Sequence, residues 1–178
     1  MKTALENLAG YTGTVGQLTD YLQKNPEMFP ALFREMLHNP NARVRLRMGN
    51  AVEKAARQNP ELIRPFKAEL LATVPEIKAT EIIWQVALLL GYLELEEDEL
   101  ALAVNTLFSW LDTIPHKFLK INCLQTLAVL AKKNDWLKPE VTELLQAALA
   151  HESPAMRARA RILLKGFKAS GCLKNGRV

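Results

Sequence analysis

The sequence predicts an all-α protein: a stack of about four helical hairpins, with one short helix capping its N-terminal end. Three observations carry this prediction. Prolines recur at a near-constant interval, apolar residues recur at three and four between them, and no stretch has the alternation of a β-strand.

The prolines form two sets. Pro26, Pro60 and Pro139 are each followed by a glutamate and open an apolar-periodic segment. Proline suits a first helical turn because its missing N–H would be unpaired there. Asn25 and Asn59 are placed as N-caps, and the following glutamates favour the positive helix end. Asp98-Glu99-Leu100 takes the same slot without a proline. The second set, Pro40, Pro75, Pro115 and Pro154, falls between helices, at separations of 35, 40 and 39 residues.

Each interval then reads as a helix pair. First helices are expected over 26–38, 60–74, 97–113 and 138–150, second helices over 41–57, 78–93, 117–133 and 154–168, and the capping helix over 15–23. Leu100, Val104, Leu107, Phe108 and Leu111 show the helical spacing in the third pair, as do Val141, Leu144, Leu145, Ala148 and Leu149 in the fourth. The second helices of the middle pairs, TEIIWQVALLLGYL and INCLQTLAVLA, have almost no polar face and need cover on several sides. Those of the end pairs, ARVRLRMGNAVEKAARQ and PAMRARARILLKGFK, carry most of the arginines, as expected of repeats that meet solvent. The organisation expected is a single domain over 1–168 with a flexible basic tail over 169–178.

Composition narrows the class. At 178 residues, 49% hydrophobic and 24% charged, the chain can bury a core and is not a disordered polymer. No apolar run approaches the roughly 18 residues needed to span a bilayer; Ile82–Leu93 is too short. The opening MKTALENLAGYTG meets a glutamate before any long apolar stretch and does not read as a signal peptide. Cys123 and Cys172 form no CxxC, and Cys123 within INCLQTLAVLA reads as a small buried hydrophobe. A cytoplasmic, reduced location is the expectation.

Charge is banded. Residues 34–67 carry eight basic and three acidic groups, residues 68–116 one and nine, and residues 117–178 twelve and four. Such bands steer partners without determining a fold.

Asn39-Pro40-Asn41-Ala42-Arg43-Val44-Arg45 and Ser153-Pro154-Ala155-Met156-Arg157-Ala158-Arg159 resemble the turn and second-helix start of HEAT repeats, with Asn or Ser at the usual turn aspartate. Ala87-Leu88-Leu89-Leu90-Gly91 resembles the packing segment that follows. The resemblance covers about 26–168, although Pro75-Glu76-Ile77-Lys78 and Pro115-His116-Lys117-Phe118 lack the Val-Arg pair. The chain is similar to small bacterial HEAT-repeat proteins of unassigned function; the resemblance implies a right-handed α-α superhelix and does not fix a function.

Several groups are candidates for function. Arg43, Arg45 and Arg47, and likewise Arg157, Arg159 and Arg161, alternate with apolar residues near helix starts. Cations there oppose the macrodipole, so something must offset them. The structural reading is a ladder in which an arginine of each trio meets a carboxylate or turn carbonyl of the adjacent repeat. The functional reading is an anion or nucleic-acid surface, since the guanidinium fork suits phosphate and carboxylate alike. Trp84, Trp110 and Trp136 could stack bases, and some DNA-repair glycosylases have a HEAT-like fold. Their apolar contexts place them instead in the core or at hairpin ends. His38, His116 and His151 are expected along the hairpin turns, without metal-ligand spacing. Gly10, Gly13 and Gly16 lack the strand and the Lys-Ser/Thr of a phosphate loop. The acidic run Glu94–Glu99 suits a helix N-terminus.

The function expected is a non-catalytic scaffold that binds a protein partner through its surface, with no membrane, metal or cofactor. The alternative is a nucleic-acid binder of repair type using the basic end repeats. It is disfavoured because the acidic middle band interrupts any continuous basic track.

Overall fold

The computed structural model describes residues 15–77, 79–151 and 153–169, and every regular element among them is helical. Residues 170–178 of the expected tail, with Gly10 and Gly13, lie outside the described residues. The α-helices are α1 (Val15–Lys24), α2 (Phe29–His38), α3 (Ala42–Gln58), α4 (Lys67–Thr73), α5 (Ile83–Tyr92), α6 (Glu97–Thr113), α7 (Lys117–Lys133), α8 (Lys138–His151) and α9 (Pro154–Ala169). Short 3-10 turns at Pro26–Met28, Pro60–Leu62, Arg64–Phe66, Val74–Glu76 and Asp135–Leu137 flank or open the first helices. Contacts divide the chain into two compact units, residues 1–103 and 104–178, with the boundary inside α6.

In unit 1, α2 and α3 form the first hairpin, α1 packs on α3, and α3 packs on α5 of the second hairpin. Phe66 stands between Phe29 and Phe33, with ring centroids 5.8 and 4.8 Å away, and ties the Arg64–Phe66 turn to α2. Around them Leu18, Leu22, Leu32, Met36, Ile63 and Leu70 are buried. Each such side chain contributes about 1.5–3 kcal/mol relative to leaving it in water. Gly49 lets α3 approach α5 closely: a Cβ there would lie 3.3 Å from Ile82 Cγ2 and 3.4 Å from the Gln85 amide carbon.

In unit 2, α7, α8 and α9 pack against one another. Leu119, Cys123, Leu124, Leu127, Val141, Leu145 and Ala160 form the core. Cys123 is buried and free, as the sequence suggests, and burial pushes its thiol up to about 12.

The asparagines at the proline turns divide their work differently from the N-cap expectation. Asn59 accepts from the Glu61 N–H at 3.3 Å and does cap the turn after it. Asn25 makes no such bond; its Nδ2 and its backbone N–H both donate to the Tyr21 carbonyl at 2.9 Å, so it closes α1. Asn134 closes α7 in the same way, donating to the Leu130 carbonyl at 2.9 Å. A second departure is the start of α5. The sequence places it near 78, but the chain turns at Ala79–Ile82, where Ile82 N–H donates to the Ala79 carbonyl at 3.2 Å, and the helix begins at Ile83. That delay leaves Glu81 just ahead of the helix.

Candidate functional site

The two arginine trios separate by position within each trio. Arg45 turns to the next hairpin of unit 1: its Nε and Nη2 meet the Glu81 carboxylate, and its Nη1 donates to the Asn39 carbonyl at 2.6 Å. Arg159 donates from Nη1 to the Gln125 Oε1 at 3.1 Å, a rung between α9 and α7. The middle arginine of each trio therefore braces its own unit. Arg43, Arg157 and Arg161 are exposed and Arg47 is half-buried. The Arg43 N–H is capped by the Asn41 side chain at 2.9 Å.

Arg45–Glu81 is the first of three polar rungs between α3 and the segment 81–92 that leads into and forms α5. The second is the buried Gln85 amide, which lies 3.4 Å from the Asn50 amide of the facing helix. The third is Tyr92, whose hydroxyl donates to the Glu53 carboxylate at 2.7 Å. The same Glu53 oxygen lies 3.8 Å from Arg57 Nε. Burial first, then the Glu53 hydrogen bond and charge, raise the Tyr92 hydroxyl far above the ordinary phenol. Residues 45, 50 and 53 meet 81, 85 and 92 in rising order, so α3 and α5 run parallel.

These rungs bring two surface stripes together. Along α5, residues 85–87 and 89–91 are buried, and the line open to solvent is Trp84, Leu88 and Tyr92. Along α3 the accessible line is Arg43, Arg47, Asn50, Lys54 and Arg57, at alternating spacings of four and three. Asn50 and Arg57 of one stripe reach the rungs that Gln85 and Tyr92 make from the other helix. The result is a cationic stripe beside an apolar-aromatic one, on a rigidly cross-linked helix pair. Neither Arg43 nor Lys54 meets a carboxylate among the described residues.

The three tryptophans have three environments. Trp110 is 7% exposed and packs in the core, whereas Trp84 is half-buried on the α5 stripe. Trp136 is 61% exposed, which excludes the core and leaves the hairpin end: it sits in the Asp135–Leu137 turn between α7 and α8, where the adjacent Leu137 takes the buried place.

The histidines lie at the turns, as the sequence places them. His38 is exposed, 3.7 Å from Glu69 Oε1. His116 caps α7, its Nδ1 accepting from the Leu119 N–H at 3.1 Å. His151 ends α8. Among the described residues no three His, Cys, Asp or Glu side chains gather as a metal site. The acidic run caps α6: Glu99 accepts from the Glu96 N–H at 2.8 Å and from Lys67 Nζ at 2.7 Å, and the Lys67 bond leads in holding its carboxyl below the usual range.

Each unit also has a cleft between its hairpins. In unit 1 it is lined by Leu37, His38, Arg45, Thr73 and Glu81, with a volume of about 660 Å³. In unit 2 it is lined by Leu111, Asp112, Lys120, Ala147 and Met156, with a volume of about 280 Å³. These five residues of the first lining stand 74 or 75 positions before the five of the second. The linings diverge in chemistry, charged in one and largely apolar in the other.

No protein-family model, curated protein or solved structure matches the chain.

Proposed function

We propose that the chain is a HEAT-like interaction scaffold, a right-handed superhelical stack of hairpins that binds a protein partner on the surface of its second helices. The observation that carries this reading is the α3–α5 face of unit 1. Helix α5 is covered on every side but one, and that side presents Trp84 and Leu88 rather than polar residues. A half-open Trp and Leu flanked by cations is the makeup of an interface core with a polar rim. The offset of 74 or 75 residues between the two clefts supports a stack of equivalent hairpins.

The test is native co-purification of the full chain against its Leu88→Glu variant, at matched thermal stability. The reading expects one or more proteins recovered with the parent and lost with the variant. Equal recovery would place the interface elsewhere.

A second reading, nucleic-acid binding, draws on exposed Arg43, Arg57, Arg157 and Arg161. It competes less well because Arg45 and Arg159 are engaged within the protein. Titration with short DNA and RNA at about 50 and about 200 mM salt separates the two, because phosphate contacts lose affinity steeply with salt.

A further inference from the structure

We infer that the α3–α5 face takes an acidic amphipathic α-helix of a partner protein, with its apolar edge on Trp84 and Leu88 and its carboxylates on the α3 stripe. This rests on the binding-face reading above and adds the chemistry of the occupant.

Shape comes first. Parallel helices pack about 8–10 Å apart, so the surface between them is a shallow trough that matches a third helix. From Trp84 to Tyr92 the open line of α5 runs about 12 Å at 1.5 Å per residue, a little over two turns of a ligand helix. Apolar residues at i, i+3 or i+4, and i+7 would follow that line. The face offers side chains and, being built of two helices, no free backbone edge. An extended segment would find few partners for its own N–H and C=O groups there, whereas a helix satisfies them internally.

Charge selects the kind of helix. The acidic groups near the trough are already engaged: Glu81 by Arg45, and Glu53 by Tyr92 and Arg57. Arg43 is exposed and Lys54 half-buried, neither facing a carboxylate among the described residues. Their complement is a row of glutamates or aspartates, a turn apart along one side of the incoming helix. Phosphate would satisfy the same cations, but Leu88 in the middle of the neighbouring stripe offers nothing to a nucleotide backbone. An apolar side chain uses it fully.

The test uses labelled synthetic peptides of about five helical turns, with leucine at every third and fourth position. One carries glutamate at the remaining positions, a second lysine, and a third the glutamates with glutamine in place of leucine. Binding to the full chain is read by anisotropy at about 50 and about 200 mM salt. The Glu/Leu peptide is expected to bind, with the lysine and glutamine versions at least about tenfold weaker, a difference of about 1.4 kcal/mol. The combined Arg43→Glu and Lys54→Glu variant should reverse the preference between glutamate and lysine. Equal binding of the two leucine peptides overturns the inference. So does absence of binding below about 100 μM, or displacement of the Glu/Leu peptide by a short single-stranded DNA. A co-purified partner that is lost on Leu88→Glu but indifferent to the charge reversal would leave the binding face in place and reject the acidic helix.

Discussion

The Arg45 guanidinium joins the Glu81 carboxylate of the next hairpin while donating to the Asn39 carbonyl of its own turn at 2.6 Å. One side chain thus fixes a turn and the helix beside it. Both partners are about 20% accessible, between the exposed pairs worth up to about 1 kcal/mol and the buried ones whose breaking costs about 3–5. A double-mutant cycle with Arg45→Met and Glu81→Gln should give a coupling of about 1–2 kcal/mol in denaturant unfolding. Arg45→Lys should recover only part of it, because an ammonium cannot serve the carboxylate and the carbonyl in one plane.

Glu53 is buried, and the Tyr92 hydroxyl donates to it. Removing that donor by Tyr92→Phe leaves a buried carboxylate short of a partner and should cost about 1–3 kcal/mol. The raised Tyr92 hydroxyl sets the pH direction. The fold favours the neutral phenol, so its stabilising share is complete below the unfolded value near ~10. That share is lost as pH rises through the higher folded value. Ultraviolet titration of the native protein should show one of the three tyrosines ionising late, and Tyr92→Phe should abolish that late step.

Gly49 sits mid-helix where α3 meets α5, and an alanine methyl at this position would lie 3.3 Å from Ile82 Cγ2. Gly49→Ala gains about 0.8–1 kcal/mol of helix propensity and loses a similar amount to that tight contact, so stability should hardly change. Gly49→Leu has no room and should destabilise by about 1–3 kcal/mol, measured by the same unfolding curves.

Cys123 is fully buried in α7 with its thiol pushed up to about 12. In a Cys172→Ser background a thiol reagent at neutral pH should react only as the protein unfolds, because the thiolate is the nucleophile and the side chain has no access. Prompt labelling of the native protein would contradict the packing of unit 2.

Much of the secondary structure is legible in the sequence because proline, glutamate and apolar spacing report local rules. Helices α6 and α7 fall over 97–113 and 117–133, as periodicity places them. Asn25 shows where local letters run out. Asn-Pro-Glu reads alike at 25 and at 59, yet the Asn25 amide turns back to the Tyr21 carbonyl, a choice between two helix ends that the tripeptide does not encode. The arginine ladder is half legible. The motif names the trios, but only the fold picks out Arg45 and Arg159 as the braces, since their partners lie 36 and 34 residues away. The α5 stripe is not legible, because Ile82 to Leu93 is apolar nearly all round and only packing decides which line stays open. Which of the two places offered for Trp136 it takes is undecided in the sequence for a related reason: in Asp-Trp-Leu either apolar residue could face inward, and Leu137 does.

Leu88 lies midway along the open line of α5, and a charge placed there tests the account most directly. The measurement is co-purification of the full chain and of Leu88→Glu from the same cells, at equal expression and after their melting curves are shown to agree. The account predicts that proteins recovered with the parent are missing from the variant. Recovery of the same proteins with both would contradict it, because a carboxylate buried against an apolar contact costs several kcal/mol, about 2–7 even for uncharged polar groups, and no partner seated on that face would tolerate it.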